Sequence, residues 1–144
     1  MYAYYESGVQ PDILAAIWYK ETDYDTGMTV TDNFKRDKNG DRIVASRDYG
    51  PLQINDYWKL NRATWQRVYN PRGYDLKSDP WESFMAGVRD IAGNGGRVPG
   101  AWDVVAKYWH GPQSPDIDKY VDEVGKAYVY TNMYFECLRE RGQL

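Results

Sequence analysis

Residues 13–21 read Ile13-Leu14-Ala15-Ala16-Ile17-Trp18-Tyr19-Lys20-Glu21. Ile13, Leu14, Ile17 and Trp18 recur at the spacing that puts side chains on one face of an α-helix. Pro11 and Asp12 stand ahead of them, where a first turn tolerates a missing N–H and favours negative charge. One further step along the apolar face falls on Glu21, four residues after Ile17. A carboxyl lodged at the end of an apolar stripe is desolvated, which disfavours its charged form and raises its pKa. A glutamate in that state donates a proton near neutral pH. A helix whose last turn simply emerges into water reads the same way, because polar helix ends are common.

The helix is expected to run to about Glu21 and to stop in Thr22-Asp23-Tyr24-Asp25-Thr26-Gly27. Beyond it the character changes. Thr29-Val30-Thr31 favours β-structure, Asn39-Gly40 is the strongest short hairpin signal in the chain, and Ile43-Val44-Ala45 supplies a return strand. The spacing predicts an antiparallel sheet of two or three strands around residues 28–54. Its second strand leads into Ser46-Arg47-Asp48-Tyr49-Gly50-Pro51-Leu52-Gln53-Ile54-Asn55.

Asn55 or Asp56 then caps a helix containing Trp58, Leu60 and, by continuation, Trp65. Asn70-Pro71-Arg72-Gly73 is a turn. Asp79-Pro80-Trp81-Glu82 has the form of a helix start, with aspartate at the cap, proline at the first position and glutamate at the third. Phe84, Met85, Val88, Ile91 and Ala92 make its apolar face, and Gly93-Asn94-Gly95-Gly96 is expected to end it in a mobile loop. A helix over Ala101–Trp109 carries a wide apolar face of Ala101, Trp102, Val104, Val105, Tyr108 and Trp109, and stops at His110-Gly111-Pro112. Ser114-Pro115-Asp116 starts a long last helix in which Gly125 is a potential kink. Residues 1–10 read as a short lead-in. The fold class is α+β, mainly helical with one small antiparallel sheet, and 144 residues suit a single domain over 1–144.

Composition narrows the function. The net charge is −3, and no basic block offers electrostatic support for nucleic-acid binding. The single cysteine, Cys137, allows neither an intrachain disulfide nor a Cys-based zinc site, and is read as a small buried apolar residue. The single histidine, His110, argues against a His-rich metal site or a Ser-His-Asp triad and is read as lining a cleft or capping its helix. No stretch approaches the ~20 apolar residues of a membrane span, so no membrane partner is expected. The N-terminus lacks the basic-then-apolar form of a signal peptide. The chain has 14 Tyr and 6 Trp against 3 Phe. Such rings, with an apolar body and a polar tip, suit a wet aromatic groove for sugars, or equally a Tyr-rich core.

Asp48 is the second carboxylate of interest, at a strand end two residues before Gly50. A glycosidase needs two carboxyl groups facing one sugar bond, one to protonate the leaving oxygen and one to stabilise or capture the cation. Glu21 and Asp48 can be drawn flanking a groove between the helical part and the sheet. Asp48 can equally be an Asx-turn residue setting up Gly50. The run from Asp37 to Asp48 also imitates a calcium loop, but Arg42 stands where that loop needs glycine and no helices flank it. A hairpin turn is the better reading, and no metal or cofactor is expected.

Taken in order, these motifs resemble the lysozyme superfamily. Glu21-Thr22 and the Gly50-x-x-Gln53-Ile54 segment are similar to those of bacterial and phage lytic transglycosylases of the soluble type. The Asp48-Tyr49-Gly50-x-Leu52-Gln53-Ile54-Asn55 string is close to the one carrying the second carboxylate in c-type lysozymes. Asp79–Val88 and Ala106–Pro112 followed by Tyr120-Val121 resemble later motifs of the transglycosylases, and the likeness spans roughly residues 10–130. The resemblance implies helices around a small sheet, with peptidoglycan as the partner. It implies Glu21 as general acid and base, Asp48 as second carboxylate, and Leu52, Gln53, Tyr108, Tyr120 and His110 as substrate-binding residues. Thr22 replaces the commoner serine, Pro51 replaces a larger apolar residue, and Trp109 or His110 replaces an asparagine.

The expected activity is cleavage of β-1,4 bonds between N-acetylmuramic acid and N-acetylglucosamine by a muramidase or lytic transglycosylase. A phage protein suits it, as an endolysin or beside other virion proteins, acting on the cell wall from the virion or the host cytoplasm. The alternative is an inactive glycan-binding or structural virion module of the same fold, against which the presence of both Glu21 and Gln53 argues.

Overall fold

The computed structural model describes residues 6–143. Half of the expected lead-in, and nearly all of the terminus on which the signal-peptide reading rests, lie in residues 1–5, outside the described residues. The elements in chain order are α1 (Pro11–Thr22), β1 (Val30–Arg36), β2 (Arg42–Tyr49), β3 (Ile54–Asn55), a π-helical turn (Asp56–Leu60) and α2 (Ala63–Tyr69). Then follow α3 (Pro80–Ile91), a second π-helical turn (Ala92–Gly96), α4 (Trp102–His110) and α5 (Ile117–Glu140). The class is α+β, mainly helical with one three-stranded antiparallel sheet. No helix among the described residues is long and apolar enough to cross a membrane. The chain divides into two compact units, one from residues up to Tyr24 and from Val88 onward, the other from Asp25–Gly87.

In the first unit, α1 and α4 both pack on α5. Ile13, Ala16 and Ile17 of α1, Val105 and Ala106 of α4 and Val124 of α5 are completely buried. Each fully buried Ile or Val contributes about 1.5–3 kcal/mol by area removed from water. α1 starts with Pro11, and the Asp12 carboxylate accepts from the Ile13 N–H at 2.8 Å. The helix stops where Asp23 and Tyr24 take left-handed φ of 52° and 64°. Gly125 does not break α5, which runs unbroken through it. A Cβ there would come within 2.7 Å of the Trp102 ring, so the missing side chain lets α4 lie close.

Two apolar expectations for this unit are corrected. Val104 is 55% exposed, and Ala106 takes the inward position on α4. Cys137 is only partly buried, because the last turns of α5 run beyond the residues that cover its start. Gly93–Gly96 ends α3 as expected, in a kinked turn where Asn94 and Gly95 leave helical φ/ψ. Gly96 is buried there, and a Cβ would sit 2.6 Å from the Ile91 carbonyl oxygen. The Gln10 N–H donates to the Gly96 carbonyl at 2.7 Å, which ties the start of the chain to that turn.

The second unit holds the sheet, in the order β1-β2-β3. Asn39-Gly40 makes the tip of the β1–β2 hairpin, and Asp37 Oδ1 accepts from the N–H groups of Asn39 and Asp41 at 2.8 and 2.9 Å. The stretch that imitates a calcium loop is thus an Asx-stabilised turn. A bulge at Ala45 shifts the register between Asn33 and Phe34. The expected helix around Trp58 is a π-helical turn, capped by Asn55 Oδ1 from the Trp58 N–H at 2.9 Å, and Trp65 belongs to the separate α2. Asp79 caps α3 as read, accepting from the Glu82 N–H at 3.0 Å.

Gly50, at the end of β2, has φ 80°, and a Cβ on it would lie 2.5 Å from Ser83 Oγ. Gly50→Ala is therefore expected to lower stability by about 2–4 kcal/mol, from left-handed strain plus overpacking. A lower urea midpoint at unchanged slope checks this. A midpoint equal to wild type would show that the Ser83 contact yields without cost.

Candidate active site

Glu21 occupies the last turn of α1 and is half-buried. It lies one turn beyond Ile17, so the packing of α1 on α5 carries its carboxylate to the α5 surface. Tyr120, on the first turn of α5, donates its hydroxyl to Glu21 Oε1 at 2.8 Å. The Tyr120 ring is 4% exposed. Burial, with the Glu21 charge and hydrogen bond added, pushes its phenol well above the usual value of 10.0, so it stays a donor.

His110 ends α4 and stacks on Tyr120, with ring centroids 4.1 Å apart and planes 8° from parallel. Its Nε2 lies 2.7 Å from Asp116 Oδ1. The Asp116 carboxylate is held down to about 2, first by the Ser114 hydroxyl at 2.6 Å and then by His110. Asp116 was read as a helix-start residue, but its side chain makes no cap and holds the histidine instead. Lys20 lies 5.5 Å over the other part of this cluster, the Tyr120 ring, and pairs with Glu123 at 3.0 Å. Asp116, His110, Tyr120 and Glu21 thus form one continuous polar and aromatic chain, in which each group fixes the next.

Tyr108 anchors a buried carboxylate. Its hydroxyl donates to Asp90 Oδ1 at 2.6 Å, and Asn94 Nδ2 donates to the same oxygen at 3.0 Å. Asp90 is completely buried, the only carboxylate so placed among the described residues. Sequence reading missed it, although a carboxylate between Val88 and Ile91 on an apolar face is a readable signal for a buried anchor. The signal for Asp116 was weaker, since Ser-Pro-Asp before a helix reads first as a cap.

The remaining expected site residues belong to the second unit. Asp48, half-buried on β2, accepts from Asn55 Nδ2 at 2.8 Å on one oxygen and from Asn33 Nδ2 at 3.0 Å on the other. Strand pairing supplies both donors, because Asn55 lies opposite Asp48 on β3 and Asn33 lies on β1. The carboxylate is therefore fixed in orientation by amides of both neighbouring strands, which is more than an Asx turn requires. Gln53 has φ 56°, and its Nε2 donates to the carbonyls of Thr29 at 3.1 Å and Gly50 at 3.0 Å. Its amide nitrogen closes the turn between β2 and β3. Leu52 is completely buried, and a Cβ on Gly87 would come within 2.7 Å of its Cδ1, so it packs against α3 and offers no surface to a sugar.

No group of three or more His, Cys, Asp or Glu side chains suited to hold a metal occurs among the described residues. No family model, curated protein or solved structure matches the chain.

The raised Tyr120 phenol has a consequence for stability. Its ionisation is suppressed in the folded state, so its contribution is complete below the unfolded value of 10.0 and is lost as pH rises beyond it. Urea midpoints are expected to fall above about pH 10, and to fall less in Tyr120→Phe. An identical alkaline fall in the two proteins would assign it to other groups.

Proposed function

We propose that the chain is a peptidoglycan-cleaving glycosidase of lysozyme-like fold, a muramidase or lytic transglycosylase in which Glu21 is the general acid and base. The observation that carries this reading is the hydrogen bond from buried Tyr120 to Glu21. The resemblance selected these two residues from opposite ends of the chain, with no geometric information. Their meeting at hydrogen-bond distance is what a proton-transfer site needs and what a solvated helix end does not.

The chemistry follows from the site. With Tyr120 donating to Oε1, the transferable proton of the acid form resides on Oε2. That proton passes to the glycosidic oxygen as the C–O bond breaks and positive charge develops on the sugar ring. Tyr120 keeps the carboxyl oriented through this step, and its hydrogen bond strengthens as Glu21 becomes anionic. Glu21 then removes a proton from the attacking group, which is water for hydrolysis or the sugar's own C6 hydroxyl for a 1,6-anhydro product. The resemblance offers Asp48, steadied by Asn33 and Asn55, as the second carboxylate.

Clearing of a cell-wall suspension tests the acid. Glu21→Gln is expected to reduce the rate by about 10²–10⁴-fold, the usual contribution of a positioned general acid. Equal clearing by wild type and variant would remove Glu21 from the mechanism and leave the inactive-module reading.

Mass spectrometry of the released fragments tests Asp48. Reducing sugars are expected from wild type, with a loss of rate on the order of 10²-fold in Asp48→Asn. Anhydro products at an unchanged rate in Asp48→Asn would assign cation stabilisation to the sugar's N-acetyl group.

A further inference from the structure

The first unit carries a concave surface that Glu21, Tyr120 and His110 do not line. It is a groove of about 1260 Å³ between α1 and the later turns of α5. The groove exceeds the roughly 300–1,000 Å³ of a typical small-molecule pocket, so it suits an extended ligand. Its aromatic lining is Trp18, Tyr19, Tyr24, Tyr130, Tyr134 and Phe135. Tyr24 reaches it from a left-handed backbone, φ 64°, and its ring rests against Trp18 and Tyr19 at centroid distances of 5.3 and 5.4 Å. Tyr130 and Tyr134, one turn apart on α5, are 74% and 62% exposed.

We propose that this groove binds a neutral oligosaccharide. Three features select that ligand. The aromatic side chains are mostly Tyr and Trp rather than aliphatic, so each offers a flat apolar face with a hydrogen-bonding tip. A pyranose presents the complement, a face of C–H groups edged by hydroxyls. The charged side chains of the groove are Lys20, Lys126, Asp23 and Glu123, two of each sign. The lysines are already paired, Lys20 with Glu123 at 3.0 Å and Lys126 with Asp122 at 3.1 Å. An anionic ligand would have to draw a lysine out of one of those pairs, whereas an uncharged one leaves both intact. The exposed rings stand on successive turns of one helix, which gives a row of platforms rather than a single socket. Such a row fits consecutive sugars along a strand.

The inference is independent of the role proposed for Glu21, and its test uses the 144-residue chain carrying Glu21→Gln, so that cleavage through Glu21 cannot confuse the readout. Glu21→Gln is titrated with the β-1,4-linked hexamer of N-acetylglucosamine, followed by calorimetry and by amide and indole NMR shifts. Binding is expected with shifts at Trp18, Tyr24, Tyr130 and Tyr134. Adding Tyr130→Ala and Tyr134→Ala is expected to weaken it about tenfold, the combined effect of two aromatic platforms. Both residues are largely exposed, so their loss leaves the core intact, which a matching urea midpoint verifies.

Shifts confined to the neighbourhood of position 21 and Tyr120, unaffected by the double substitution, would overturn the groove proposal while leaving a glycan-binding active site standing. An absence of binding at millimolar hexamer would overturn it as well. So would concentration-dependent self-association that the double substitution abolishes, since the rings would then be a protein interface. None of these outcomes depends on whether wild type clears cell walls.

Discussion

The structure depends most on one hydrogen bond, from the Tyr120 hydroxyl to the Glu21 carboxylate. Neither group is comfortable alone. A buried phenol without an acceptor loses about 1–3 kcal/mol, and a carboxylate drawn from water needs a donor in compensation. Together they satisfy each other. The bond also holds the side chain of Glu21 in one rotamer, which a proton donor requires if it is to meet a fixed oxygen. The apolar contact of α1 with α5 makes the bond possible, since Ile13, Ile17 and Val124 must be buried before the two polar ends can meet. His110 completes the arrangement by lying flat against the tyrosine ring while Asp116 holds the histidine. Hydrophobic packing therefore sets the distance, and the polar groups set the orientation.

The second unit is built on different principles. Its hairpin is exposed on both faces, with Val30, Phe34 and Ile43 all more than a third accessible. Cross-strand contacts hold it in place of a core. Arg42 lies 3.7 Å over the Phe34 ring, and Arg47 pairs with Asp32 at 2.8 Å. The burial lies instead at the base, in Leu52, Ile54 and Met85. Asp48 sits at the change from exposed ribbon to buried base. There the three strands can all contribute to one side chain, which is why its partners are amides from both neighbours rather than backbone groups of a turn.

Much of this was legible wherever local chemistry decides conformation. Pro11-Asp12 and Asp79-Pro80 marked their helix starts because a cap is made by residues adjacent in sequence. Asn39-Gly40 marked the hairpin because its tip needs a residue at positive φ, which Gly40 supplies at 82°. The apolar stripe ending in Glu21 was readable because periodicity reports which face is buried. What escaped reading depends on distant residues. Nothing near Gly125 announces that Trp102 will press on it, so a glycine read as a kink is a contact point. Nothing near Cys137 or Val104 shows that their stretches extend past the residues that cover neighbouring turns. The π-helical turns also went unread, since a widened turn arises from the packing it must accommodate. Asp116 stands at the helix start as read, but its pairing with His110 went unread, because only the fold brings the histidine near.

The separation of Glu21 and Tyr120 in sequence has a further consequence. Their positions differ by 99 residues, and the whole second unit is encoded between them. During synthesis α1 leaves the ribosome long before the helix that completes its surroundings. Until α5 has been made, Ile13 and Ile17 have no partner surface and Glu21 has no phenol. Over the intervening 99 residues α1 carries an exposed apolar face, the kind of surface that chaperones capture. Closing so long a loop also places this contact among the late steps of folding.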